Sequence, residues 1–255
     1  MSPTALVQDV LELIIGNLFW ERETLKACCV VSKSWVPLAR QHLFHTIEFD
    51  EHNQGLWAKA FPDPPNSPAH HTRNLTLRGL PTIAATSTQP LAWIRSFCNV
   101  LEFKLHWCSV QLFLVPLHGF SPNLKSLSLE GLLAPPQELL DLVCSFPSLK
   151  NLELNVSTYH YTLANEWKAP SNSPTLAGTL QLRGKIGYIA GKLSDLPNGL
   201  RPVKVTMEGD VESASLMNNL LSKCSDTLES FHIGFRYELG ACSSASVVDQ
   251  TPYRC

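Results

Sequence analysis

A six-residue pattern of apolar, two others, apolar, one other, apolar recurs along most of the chain and limits its fold more than any other feature. It stands as Leu124-Lys-Ser-Leu127-Ser-Leu129 and again as Leu149-Lys-Asn-Leu152-Glu-Leu154. Weaker copies are Val100-Leu-Glu-Phe103-Lys-Leu105, Ala177-Gly-Thr-Leu180-Gln-Leu182 and Leu228-Glu-Ser-Phe231-His-Ile233. Leu75-Thr-Leu77 and Val205-Thr-Met207 carry only its second half. The first strand residue of each copy falls at 75, 103, 127, 152, 180, 205 and 231, so the intervals are 28, 24, 25, 28, 25 and 26. Self-similarity at a near-constant period signals a repeat architecture, in which each unit buries its apolar face against its neighbours.

Alternating apolar residues predict a strand in each unit, and Gln137 to Cys144 and Ser213 to Leu221 have the periodicity of helices between strands. Strands alternating with helices predict an α/β fold with one parallel sheet. The unit length and leucine pattern resemble leucine-rich repeats, whose units span roughly 20–29 residues. That resemblance implies parallel strands on a concave side and helices or loops on a convex side. Longer intervals are absorbed by loop-like stretches at 61–68, 81–90 and 169–174, rich in proline and small polar residues. Side chains alternate along a strand, so residues flanking the leucines point away from the core. Among them Arg78, Lys104, His106, Glu130, Glu153, Asn155, Arg183 and Glu208 form the candidate substrate face, polar and mixed in sign.

The first 45 residues read differently. Leu6, Val7, Val10, Leu11, Leu13, Ile14, Ile15 and Leu18 follow the three-and-four spacing of an amphipathic helix over Thr4 to Leu18. The doubled positions 10/11 and 14/15 give this helix two apolar directions, one for its neighbours and one for a partner. A second helix is expected over Thr24 to Val31 with Thr24 as its N-cap, and a third from Ser34 to about Leu43. Three helices in about 40 residues make a core too small for comfort alone. The run from Leu6 to Leu18 resembles the opening helix of an F-box. Leu25-Lys-Ala-Cys-Cys-Val-Val-Ser-Lys-Ser-Trp35 is similar to the F-box segment that closes on a basic residue, any residue and tryptophan, and His42-Leu43-Phe44 to its common end. Val7 stands where F-boxes usually have proline, and Ser32 where many have cysteine.

Nothing in the chain points to chemistry. There is no Gly-x-Ser-x-Gly elbow and no His-Glu-x-x-His pair. Gly184 to Lys192 is glycine-rich, but Ile186 and Leu193 stand where a phosphate loop needs glycine and a hydroxyl residue. His70-His71 and His106-Trp107-Cys108 lack the ligand spacing of a zinc site, and the latter reads as a strand-end turn. No metal or cofactor is expected. A net charge of -2, with both signs scattered, argues against a nucleic-acid partner. No apolar run reaches the roughly 18 residues of a membrane helix, and Asp9 and Glu12 interrupt the N-terminal one. No membrane partner is therefore expected, and the cytoplasm or nucleus is the expected compartment. The eight cysteines are read as reduced and mostly buried, Cys28 and Cys98 among them.

The F-box resemblance implies docking on the Skp-family adaptor of a cullin-based ubiquitin ligase, with the repeats holding an unknown protein substrate. The chain would then be a non-catalytic subunit. The implied adaptor-binding residues are Leu6, Leu11, Ile14, Ile15 and Leu18, with Leu25, Val31 and Trp35 completing the module. A scaffold of the same fold outside any ligase is the alternative, and an unrecognised hydrolase or transferase the alternative of another class. The expected organisation is an F-box-like module at 1–45, a solenoid at 46–235 and a poorly ordered tail or truncated continuation at 236–255. Phe44-His-Thr-Ile47-Glu-Phe49 repeats the apolar spacing 28 residues before Leu75, which brings the strands to about eight and joins module to solenoid without a linker.

Overall fold

The computed structural model describes residues 3–62, 66–79, 92–107, 117, 120–132, 134–156 and 167–235. Every expected strand forms: β1 (Thr46–Phe49), β2 (Asn74–Arg78), β3 (Glu102–His106), β4 (Ser126–Leu132), β5 (Asn151–Val156), β6 (Thr179–Gly184), β7 (Lys204–Gly209) and β8 (Ser230–Phe235). All eight lie in one sheet in chain order, and each pairs in parallel with the next. The register aligns Ile47, Leu75, Phe103, Leu127, Leu152, Leu180, Val205 and Phe231 in one row, as the repeat intervals demand. A slip of one residue would turn a strand's leucines to solvent, so burial on one face fixes the register. The layout is that of a leucine-rich-repeat solenoid.

A second set of contacts locks the strand entrances. The His45 carbonyl accepts from the amides of both Arg73 and Asn74, and the Arg73 carbonyl from Leu101 and Glu102. The sequence continues through Leu101, Lys125, Lys150, Gly178 and Val203, ending on the amides of Glu229 and Ser230. At one rung the pattern changes: the Thr179 amide donates to Asn151 Oδ1 at 2.8 Å. A Cβ at Gly178 would collide with that oxygen, which accounts for the glycine.

Behind the sheet, the return segments bury what the strands leave open. Helices α5 (Pro136–Cys144), α6 (Gly187–Ser194) and α7 (Ala214–Cys224) bring Leu139, Leu140, Val143, Ile189, Leu193, Met217 and Leu220 into the core. The stretch Gly184 to Lys192 thus leads into an ordinary return helix. Between β2 and β3 the described return is only a 3-10 turn, Ala92–Ser96. An unexpected short helix, α4 (Gln54–Ala60), follows β1. It carries Trp57, which meets Phe44, Phe49, Phe61 and Phe97 in edge-on and tilted ring contacts that seal the first end of the core. Among the described residues nothing seals the other end. Phe231 and Phe235 of β8 are 47% and 39% exposed, although their row partners Val205 and Gly209 in β7 are buried.

The N-terminal helices are α1 (Pro3–Asn17), α2 (Arg22–Val31) and α3 (Val36–Leu43). They form a separate small core of Leu11, Ile15, Leu25, Cys28 and Ala39. The expected cap of α2 is corrected: the helix begins two residues before Thr24, whose hydroxyl donates to Glu21 Oε2 at 2.9 Å. Phe44 and His45 alone join α3 to β1. The Phe44 amide donates to the Arg40 carbonyl and the His45 amide to that of His42. The expected tail at 236–255 and the loop at 81–90 lie outside the described residues. Among the described residues, no helix is long and apolar enough to cross a membrane.

Five cysteines are described, all as free thiols. Cys28, Cys144 and Cys224 are buried as expected, but Cys98 is exposed, because it sits in the polar turn before β3. Burial pushes the Cys224 thiol up to about 11 and the Cys144 thiol upward as well, so both remain protonated near neutrality.

The two ends of the solenoid differ in what a truncation should cost. Leu129→Ala in β4 empties a fully buried site and should cost about 2–5 kcal/mol. Phe231→Ala in β8 should cost about 1 kcal/mol, because half of the ring is already in water. Urea denaturation of both variants measures the difference, and the reverse order would contradict this account of the core.

Candidate functional site

Two surfaces stand out, one on each part of the chain. On the helical module, the two apolar directions of α1 separate cleanly. Leu11 and Ile15 turn inward and meet Leu25 of α2. Val10 and Ile14 are each 49% exposed, and Leu13 beside them 68%. Val30 and Val31 at the end of α2 are also largely exposed. Of the expected docking residues, Ile14 and Val31 are therefore free for contact, whereas Leu18 and Trp35 pack half-buried on the module core. The side chains of Leu11, Ile15 and Leu25, by contrast, are buried in the module's own core. Leu6 lies in α1, but its side chain is outside the described residues. Val10, Leu13 and Val30 were not singled out from sequence, although the doubled 10/11 and 14/15 pattern already marked one exposed direction.

The second surface is the outward face of the sheet. Register places Arg78, His106, Glu130, Asn155, Arg183 and Glu208 side by side in a single row across six strands. At roughly 4.8 Å per strand the row extends about 24 Å. Lys104 and Glu153 lie in the adjacent row, separated by Ser128. The charges largely satisfy one another. Arg78 Nε lies 2.6 Å from Glu48 Oε1, His106 Nδ1 lies 2.6 Å from Glu130 Oε2, and Arg183 Nε lies 3.4 Å from Glu208 Oε1. Ser128 donates to Glu153 at 3.0 Å. Lys104 is exposed and forms no ion pair among the described residues. A face paired in this way costs little to leave in water, and a partner must match its alternation of sign to displace solvent.

One residue beside the row was passed over in the sequence. Trp107 follows β3 with φ of 55°, a left-handed conformation that bulky residues rarely adopt. The equivalent positions are Gly79, directly after β2, and Gly131, within β4, with φ of 53° and 64°. The indole is 70% exposed and lies flat over Gly131, where a Cβ would come about 2.5 Å from its ring atoms. Its amide donates to the Glu130 carbonyl at 2.8 Å, which ties it to the His106–Glu130 pair. The sequence places it in a strand-end turn, but periodicity carries no information about φ or about where the indole lies.

Among the described residues, no group of three or more histidine, cysteine or acidic side chains is arranged to hold a metal ion. No protein-family model matches the chain, and no curated protein matches it. What characterises it is its architecture of three helices followed by an eight-stranded all-parallel sheet.

The Trp107–Gly131 contact yields a double-mutant test. Gly131→Ala should cost about 1–3 kcal/mol, from the clash with the indole and from the left-handed backbone together. In a Trp107→Ala background the cost should fall to the backbone part, about 1 kcal/mol. Denaturation midpoints of the four proteins measure the coupling, and additive costs would show that the ring does not rest on Gly131.

Proposed function

We propose that this chain is the substrate-holding subunit of a Skp–cullin–F-box ubiquitin ligase, with an F-box module docked on the Skp-family adaptor and the solenoid presenting its sheet face to a protein substrate. The observation that carries this reading is the exposed side of α1 formed by Val10, Leu13 and Ile14, together with the exposed Val30 and Val31 at the end of α2. Several large apolar residues exposed on so small a helical module call for a partner surface. The F-box resemblance of Leu6 to Phe44 names the partner that such a surface fits. A cytoplasmic or nuclear compartment follows from the same assignment.

In this reading the chain makes and breaks no bond. Its contribution is proximity: a substrate held on the row from Arg78 to Glu208 stays at a fixed distance from the ubiquitin-loading arm. The two-residue connection at Phe44 and His45, hydrogen-bonded on both sides, supports a stiff junction. The mixed charge of the row suits a protein partner of alternating sign.

The test separates contact from folding. Purified chain should capture the Skp-family adaptor, and Ile14→Asp with Val31→Asp should weaken capture at least tenfold while leaving the circular-dichroism spectrum unchanged, since both side chains are exposed. Ile15→Asp should lose capture by unfolding the module. A folded wild-type chain that fails to bind the adaptor would overturn the ligase assignment.

A further inference from the structure

Two hollows meet where the helical module joins the first strands. The larger, about 760 Å3, lies between the end of α1, the start of α2, the end of α3 and the first residues of β1 and β2. Phe19 and Trp20 form one wall, their ring centroids 3.9 Å apart and Trp20 81% exposed. Arg22, His42 and His45 line it with Asn74, and no carboxylate does. Arg22 forms no ion pair among the described residues; the flanking Glu21 accepts from Thr24, and Glu23 pairs with Lys26 at 2.6 Å.

The smaller hollow, about 440 Å3, shares Arg22 and Thr46 with the first, so the two adjoin. Its lining is mostly apolar, with Phe44, Phe61, Trp57 and the 64% exposed Leu56. The one carboxylate there, Glu48, is held by Arg78. A groove that is cationic and aromatic at one end and apolar at the other fits an extended chain with matching ends. An isolated small anion would leave the apolar end empty.

The electrostatics around the cationic end agree. Burial first, then the neighbouring His42 and Arg73, hold the His45 imidazole below its ordinary range, with Glu102 opposing. His71 is lowered in the same way by burial and by His70, Arg40 and Arg73. Behind burial, the causes are basic neighbours, so this edge gathers basic residues in a chain whose net charge is -2. Concentrated charge of one sign in a cleft attracts the opposite sign.

We propose that this junction groove binds an anionic linear peptide of a partner protein, its acidic or phosphorylated side chains at Arg22, His42 and His45 and a large apolar side chain beside Leu56. The proposal does not rest on the ligase assignment. A bound anion favours imidazolium over imidazole at His45, so binding takes up protons and affinity rises as pH falls.

Fluorescence anisotropy on the full chain tests this with three fluorescein-labelled decapeptides. Each carries a Leu-Phe pair near one end, and near the other three glutamates, three phosphoserines or three glutamines. The acidic peptides should bind saturably and at least threefold more tightly at pH 6 than at pH 8, and the glutamine peptide at least tenfold more weakly. The tighter of the two acidic peptides identifies carboxylate or phosphoryl as the natural group. Arg22→Glu and Leu56→Asp should each lower affinity at least tenfold with an unchanged denaturation midpoint, whereas Lys125→Glu in a distant turn should not. No saturable binding, equal binding of the glutamine peptide or indifference to Arg22→Glu would each overturn the proposal. Displacement of the peptide by the Skp-family adaptor would also overturn it, by assigning the groove to the docking interface.

Discussion

One carbonyl per repeat, shared between two amides of the next, is the contact on which the rest of the structure depends. From His45 to Val203 these carbonyls set where each strand enters the sheet. Once the entrance is set, parallel pairing places every first leucine beside the last one, whatever the length of the return segment. That is why intervals from 24 to 28 residues coexist in one straight register. The buried leucine rows and the polar row outside them are two views of the same alignment. Asn151 shows how firmly it is enforced: where a rung departs from the pattern, a side-chain oxygen replaces the carbonyl and a glycine makes room for it.

The solenoid was legible in the amino-acid sequence because its constraint is periodic. Weak strands such as Thr179–Gly184 and Lys204–Gly209 were recognisable by spacing alone, and both lie in register. Features set by local geometry were less accessible. Thr24 has the chemistry of an N-cap, but its hydroxyl finds Glu21 instead. Cys98 looks like a small core hydrophobe, yet the turn before β3 leaves it in water. Two turns of helix around Trp57 are too short for a period to emerge, and they owe their place to aromatic packing. The polar row could be enumerated residue by residue, but its ion pairs depend on which strands become neighbours. Trp107 needed a backbone angle that no pattern encodes.

The helical module and the solenoid keep separate cores, and only a short, hydrogen-bonded stretch of chain connects them. Separate cores allow each part to present its own surface without repacking the other. On the module that surface is apolar and follows from a helix with two greasy directions. On the sheet it is polar, self-paired and interrupted by one exposed indole. Those are different recognition chemistries: the first gains from removing water, and the second requires a matching pattern of charge.

Among the described residues, the solenoid is sealed by five aromatic rings at its first end and left uncovered at β8, which gives it a direction in time as well as in space. Units that touch only their neighbours lose cohesion one at a time, beginning where least is buried. Opening therefore starts at β8 and travels backwards, and the aromatic end beside the helical module is the last to yield. A protease or an unfolding motor engaging the β8 side would strip the sheet strand by strand toward the helical module.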